Sequence, residues 1–523
     1  MRKVSKENLR PISYGSSANI VKDLIIRFRA KDLSLPLLII WISSSICLHF
    51  RHEAWRDEWQ NINFISHATL NGIAEESRLE TVSPLWYLFL KVLSFGMSPN
   101  LIFFAILIIC LGFTSVFILN RQIPLLWRFS ALSFTFVFYD WTQFARPYAI
   151  IFSLSLFFTS QTLKAKRLTT TELLVLLALL QLGFWGIFVS IGLLGCVLIN
   201  GVRLNTKRTM LFVLLLSVSI WPFLTNYGRA SWAGSSTSLD FSSPFSKLQA
   251  TLHSLSTAIL PKSGSGIDSI VDFAPLLQHP KVQFIFVLII FLVGVLHAAR
   301  ISHLLLILVL CQLIGFVSWT SFVYPGGLRH WGFGVFVPYL TFTYLNALPE
   351  KDQSRSYRIN LTVAKTIAIP VLIINLIATS NLYLADFNYP FSTITDAKSK
   401  TLTTLTVVYP SFLSIPFVGI DNPKIYLPEG SQEGYFRFTG NSGIIPKVPP
   451  TFLCKKRLNI LTNWETGKNL IASNQFKLKF RTRPALKAEE GDVYLVTSPD
   501  LCRPGNWDLL VNALTPSTGR RAS

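Results

Sequence analysis

Residues 101–120 read LIFFAILIICLGFTSVFILN. These twenty residues carry no charge, and about 20 apolar residues wound as a helix cross the hydrocarbon core of a bilayer. Working outward, similar apolar blocks stand at 33–50, 124–138, 148–163, 173–200, 211–224, 282–298, 304–322, 332–345 and 363–378. The chain has 523 residues, 50% hydrophobic and only 14% charged, with a mean hydropathy of +0.45. A soluble chain carries about a quarter charged residues, so an all-α polytopic membrane domain is expected.

Basic residues set the expected orientation, because cytoplasmic loops retain Lys and Arg. The first arm holds Arg2, Lys3, Lys6, Arg10, Lys22, Arg27, Arg29 and Lys31. Later loops hold Arg121 and Arg128, then Lys164, Lys166 and Arg167, then Arg203, Lys207 and Arg208, then Arg300, and finally Lys351, Arg355 and Arg358. They share one side if 173–200 is a pair of short spans and 83–97 lies along the membrane surface. About eleven spans result, with the N-terminus cytoplasmic and the C-terminus outside. The first apolar run reads as a signal anchor rather than a cleaved leader. Three parts are expected: a cytoplasmic arm over 1–32, a membrane domain over 33–380 and a soluble extracytoplasmic domain over 381–523. The excess of basic residues is read as topology, and no nucleic-acid partner is expected. The outer face then receives the polar segments 51–84, 139–147, 226–280 and 324–331.

The first of these concentrates acid: Arg51-His52-Glu53-Ala54-Trp55-Arg56-Asp57-Glu58-Trp59, and later Glu75-Glu76-Ser77-Arg78-Leu79-Glu80. Carboxylates beside a bilayer must stay solvated, paired or cation-bound. Asp57 can take a proton from a hydroxyl within reach, and Glu58 can orient it or share a divalent cation with it. The plainer reading is a solvated loop with salt bridges to Arg51 and Arg56. No cofactor is assigned, and the use of a divalent cation stays open. Next comes Ser83-Pro84-Leu85-Trp86-Tyr87, where Pro84 suits a first helical turn.

Phe144-Ala145-Arg146-Pro147-Tyr148 ends a span, and Tyr324-Pro325-Gly326-Gly327-Leu328-Arg329-His330-Trp331 opens a later one. A guanidinium is always charged and forked, which suits phosphate oxygens. Interfacial snorkelling is the plainer reading of both arginines. From 381 hydropathy falls. Strands are expected over 401–410, 424–427, 458–461, 476–480 and 492–497, with a helix over 393–400, making a small α/β domain. Pairing of Cys454 with Cys502 is left open by spacing alone.

In their order, Asp57-Glu58, Ser83-Pro84-Leu85-Trp86-Tyr87, Ala145-Arg146-Pro147-Tyr148 and Arg329-His330 resemble the membrane-embedded GT-C glycosyltransferases. The likeness is to the branch of protein mannosyltransferase-like, aminoarabinose transferase-like and rhizobial lipopolysaccharide sugar transferase-like enzymes. It implies transfer of a sugar from a polyprenyl-phosphate donor to a glycan, lipid or protein acceptor at the plasma or inner membrane. It further implies that Asp57 is the catalytic base with Glu58 in support. Glu80, Tyr87, Arg146, Tyr148, Arg329 and His330 would hold donor or substrate. The chain departs from the pattern at Ser83, where many members have Pro, and it has no His near Leu182–Trp185. The competing reading is a transporter or flippase of lipid-linked sugars, which should place ionisable groups at mid-membrane in two similar halves.

Overall fold

In hydrocarbon every backbone N–H and C=O must bond within the protein, so the apolar blocks are forced into helices. The computed structural model of the chain describes residues 33–50, 56–79, 82–142, 146–163, 165, 167–199, 201–202, 205–226, 244–261, 280–322, 328–346, 366, 369–381, 406–409, 425–427, 432–433, 447–454, 458–481 and 493–514. The helical part runs α1 (Ser34–His49), α2 (Arg56–His67), α3 (Leu70–Leu79), α4 (Pro84–Ser94), α5 (Pro99–Leu119) and α6 (Leu125–Ser133). A π-helix (Phe136–Trp141) follows, then α7 (Pro147–Thr162), α8 (Thr170–Leu180), α9 (Phe184–Ile199), α10 (Thr206–Asn226) and α11 (Pro244–Ile259). The remaining helices of this part are α12 (Pro280–Ile301), α13 (His303–Phe322), α14 (Leu328–Asn346) and α15 (Ile369–Asn381).

Local chemistry sets these boundaries. Proline occupies the first helical turn of α4, α5 and α7, where its missing N–H costs nothing. The Ser83 hydroxyl accepts from the Leu85 N–H at 3.2 Å. Thr169 and Glu172 form a reciprocal capping box on α8, satisfying two otherwise orphaned donors. The block 173–200 divides into α8 and α9 at a turn through Gly183, whose φ of 101° suits glycine. Among the described residues, Pro99–Leu119, Phe284–Ile301 and His303–Phe322 are long and apolar enough to cross a membrane. Shorter apolar helices include α1, α4, α8, α9 and α15. At 1.5 Å per residue a helix such as α1 spans about 24 Å, so the tally of eleven full spans does not follow from length alone.

Hydrogen bonds define the two ends of the bundle. Arg128, buried in α6, donates to the Ser34 hydroxyl and to the Ile118 carbonyl. The start of α1 and the finish of α5 therefore meet, and these two helices run antiparallel. Their other ends meet through His49 and Phe104, with ring centroids 5.6 Å apart. At the Arg128 end, Asn120 donates to the Ser160 carbonyl at 3.1 Å, Thr162 bonds Tyr344, and Arg208 bonds the Leu168 carbonyl.

Two expectations need correction. Segment 226–280 is not simply an outer polar loop. It contains α11, which packs against α12, α13 and α14 and buries Thr251, Leu255 and Ile259. Thr251 pairs with Ser321 at 2.9 Å, and the Ile259 carbonyl accepts from Asn375 at 2.8 Å. Asn375 also receives the Thr135 N–H at 3.1 Å and donates to the Val371 carbonyl at 2.9 Å. One amide thus ties α11, α15 and the approach to the π-helix. Segment 139–147 likewise begins inside the core, because Trp141 is fully enclosed.

The C-terminal part is a six-stranded sheet of order β3-β2-β1-β4-β6-β5. Its strands are β1 (Thr406–Tyr409), β2 (Ile425–Leu427), β3 (Gln432–Glu433), β4 (Asn459–Asn463), β5 (Lys477–Arg481) and β6 (Val493–Thr497). β1 pairs in parallel with β2 and β4, while β6 is antiparallel to β4 and β5. Helices α16 (Trp464–Ala472) and α17 (Asn506–Leu514) contribute Leu470, Trp507 and Leu510 to its core beside Val407, Ile460 and Val496. All five expected strands are present; the helix expected over 393–400 lies outside the described residues. Cys454 and Cys502 form a disulfide across 48 residues. Closing a loop of that length removes unfolded-chain entropy worth about 2–4 kcal/mol. The Cys454→Ser/Cys502→Ser protein should therefore lose its C-terminal part to pulse proteolysis at lower urea than the parent, while the parent's midpoint should fall to match on reduction.

Candidate functional site

The sequence brings three polar segments toward the end of the bundle away from Arg128. The first is α2. It follows directly from the end of α1 that meets Phe104, so Asp57 and Glu58 sit in its opening turn at that end. Acidic residues there suit the positive pole of a helix. Glu58 keeps only 2% of its surface exposed. The Asp57 side chain lies outside the described residues, as does the whole of Glu80. α2 packs on α4 and α5 follows α4, so the acidic helix and the Trp86-Tyr87 helix belong to one layer. Tyr87 is buried with its ring edge-on to Phe64 at 5.2 Å. Lys91 donates to the Ile65 carbonyl at 2.5 Å and closes the far end of α2. The Tyr87 ring thus packs against the acidic helix.

The second and third segments meet directly. Arg146 is the N-cap residue of α7, half-buried in an extended conformation. Two residues on, the Tyr148 hydroxyl lies 2.8 Å from Nε2 of His330 in the first turn of α14. Residues 182 apart in sequence are thus joined. His330 is 5% exposed, so this bond forms in a sheltered environment. Arg329 precedes it on the same turn, with its side chain outside the described residues, as are Gly326 and Gly327.

An aromatic set fixes this pair. Trp185, in the first turn of α9, lies 5.7 Å from the His330 ring and stacks on Phe333 at 5.2 Å with 7° between planes. Trp141 also stacks on Phe333, at 4.3 Å. Phe184 stacks on Trp319 at 3.7 Å, near the finish of α13. The starts of α7, α9 and α14 and the finish of α13 therefore share one end. Trp185 and Trp141 were not expected in the site. Trp185 stands in the very turn where a histidine was sought, and its signal was an aromatic pair at a helix start. Trp141 was hidden because the π-helix, with its wider turn, redirects it from a seemingly polar loop into the core.

Gly332 makes this packing possible. A Cβ built there would stand 2.5 Å from Cδ2 and 2.7 Å from Cγ of Phe136. Phe136 in turn lies edge-on to Trp141 at 4.9 Å. Among the described residues, no group of three His, Cys, Asp or Glu side chains is placed to hold a metal ion. Chemically, the described residues place the buried Glu58 carboxylate, a hydroxyl–imidazole pair and the Arg146 turn at one end of a membrane bundle.

No family model and no curated protein matches the chain. Among solved structures, the chain is similar to ArnT from Cupriavidus metallidurans, crystallised bound to undecaprenyl phosphate. The TM-score is 0.45 at 12% identity, covering 92% of this chain and 98% of that one. A likeness at that level describes general shape, and the functional argument rests on the residues instead.

The close approach at Gly332 is testable without an assay of activity. Gly332→Ala should cost about 1–3 kcal/mol of stability through overpacking against a fixed ring, read as a lower unfolding midpoint in detergent. An unchanged midpoint would mean that Phe136 is not held against α14.

Proposed function

We propose that this protein is an integral-membrane glycosyltransferase that moves a sugar from a polyprenyl-phosphate carrier to an acceptor hydroxyl on the non-cytoplasmic face. The observation that carries the proposal is the Tyr148–His330 bond. It gathers the Arg146 and Arg329 turns at the bundle end that also receives the Asp57-Glu58 helix. An anionic lipid headgroup needs guanidinium forks, and an acceptor hydroxyl needs a carboxylate. A passive scaffold needs neither together.

In this reading Asp57 takes the proton of the acceptor hydroxyl as its oxygen attacks the anomeric carbon. The bond from that carbon to the phosphate oxygen breaks, and the carrier phosphate leaves with the electron pair. Configuration inverts because attack and departure are on opposite faces. Arg146 and Arg329 compensate the charge that grows on the phosphate, where preorganised donors act most strongly. His330, oriented by Tyr148 and sheltered by Trp185, donates to a phosphate or sugar oxygen. Glu58 supports Asp57 from a buried position, and Glu80 and Tyr87 complete the donor and substrate contacts.

Two observations support the assigned side. Arg121, Arg128, Arg208 and Arg300 fall at the opposite end of the bundle, as expected for the cytoplasmic side. The Cys454–Cys502 bond suits an oxidising outer compartment.

The test uses purified full-length protein with a panel of polyprenyl-phosphate sugars, reading release of the free carrier phosphate. Asp57→Asn should abolish release while the protein still accumulates in the membrane; full turnover in that variant removes Asp57 as the base. Arg146→Lys keeps the charge and loses the fork, and should raise the donor KM by roughly tenfold, the scale of one charge-assisted hydrogen bond. An unchanged KM would return Arg146 to simple snorkelling.

A further inference from the structure

A cavity of about 190 Å³ lies among α6, α12, α13, α14 and α15. Its walls include Ile290, Phe291 and Val295 of α12, Phe342 of α14 and Val371 and Leu372 of α15. It belongs to a different part of the bundle from the Tyr148–His330 pair. Val335, Pro338, Tyr339 and Phe342 line it. At about 100° per residue they face a flank of α14 turned roughly 80–180° from His330, and they stand about 8–18 Å further along the helix. The body of α14 separates the two.

Ser130, Ser133, Tyr339 and Asn375 in the wall are already engaged, while the buried indole N–H of Trp127 makes no hydrogen bond among the described residues. Ser130 and Ser133 donate to the Leu126 and Phe129 carbonyls, each at 2.7 Å. The Tyr339 hydroxyl donates to the Trp127 carbonyl. Both donors of Asn375 are used on the Ile259 and Val371 carbonyls, and its oxygen accepts from Thr135. His297 makes a ring contact with Phe342 at 5.9 Å. Water entering such a space gains few bonds, and apolar cavities of about 150 Å³ stay dry and accept apolar guests.

The surroundings select the guest. Leu288, Leu292 and Leu296, the residues beside the wall on α12, are exposed, as are Ile373 and Ile377 on α15. On a membrane-crossing helix that exposure is to lipid chains.

We infer that this cavity is a lipid site that takes one hydrocarbon chain of a bilayer phospholipid, separate from the outer polar site. That the cavity takes a hydrocarbon chain is independent of sugar transfer; the choice of phospholipid over carrier rests on the proposed function. The occupant is a bulk phospholipid acyl chain rather than the carrier's isoprenoid chain, because α14 stands between the cavity and the guanidinium turns that would hold the carrier's phosphate.

The experiment places full-length protein in vesicles containing phosphatidylethanolamine with a diazirine on one acyl chain, followed by photolysis and peptide mass spectrometry. Label is expected on Phe291, Tyr339 and Phe342 as well as on the outward Leu288 and Leu292. A Cβ at Gly294 meets Phe342 at an ordinary 3.5 Å, so Gly294→Phe fills the space, and Val335→Phe does so from α14. Either variant should lose label at Tyr339 and Phe342 while keeping it at Leu288 and Leu292, which also reports that the bundle remains folded. Inner label unchanged in both variants, or label confined to the outward residues in the parent, overturns the inference. So does inner label that a diazirine-bearing polyprenyl phosphate gives and excess phospholipid cannot displace.

Discussion

One buried guanidinium sets the sidedness of this bundle. Arg128 is enclosed in α6, where a charge without partners would be costly, and it spends its donors on the start of α1 and the finish of α5. Those contacts force α1 and α5 to run antiparallel. The chain leaving α1 must then emerge at the far end, and the acidic helix α2 emerges with it. Tyr148 and His330 reach the same end by an independent route through α7 and α14.

The far end is organised by packing rather than by ion pairing. Trp185, Phe333 and Trp141 form successive ring contacts, and His330 rests against the first of them. Large rings contribute much burial with few rotatable bonds, so they hold an imidazole in place with little loss of side-chain freedom. Deeper in the bundle, polar satisfaction takes over. Asn375 serves α11, α15 and the Thr135 segment at once. α11 ends among buried residues, where its terminal carbonyls need partners, and Asn375 meets one of them.

Much of this was legible in the sequence. Apolar blocks located the helices, and the division of 173–200 followed from the parity of basic loops; the turn at Gly183 supplies its physical basis. β-branched runs between turn residues located five strands. The meeting of Ala-Arg-Pro-Tyr with Arg-His was expected from sidedness, and Tyr148 and His330 realise it. What escaped notice depended on long-range packing. α11 has enough polar residues to resemble a loop, and only burial against three helices makes it part of the core. Trp141 looks exposed until the π-helix turns it inward. Arg128 reads as a loop charge and is instead a buried tie. Strand β3 is two residues long, too short to register as a pattern.

In the proposed enzyme the acidic helix and the two guanidinium turns open to one aqueous face, opposite Arg121. Single cysteines at Asp57, Arg329 and Arg121, introduced after replacing Cys47, Cys110, Cys196 and Cys311, would be treated with a membrane-impermeant maleimide on intact cells and on inverted vesicles. The account predicts labelling of positions 57 and 329 on intact cells and of position 121 only on inverted vesicles. Labelling of 57 and 329 from opposite sides of the membrane would contradict it.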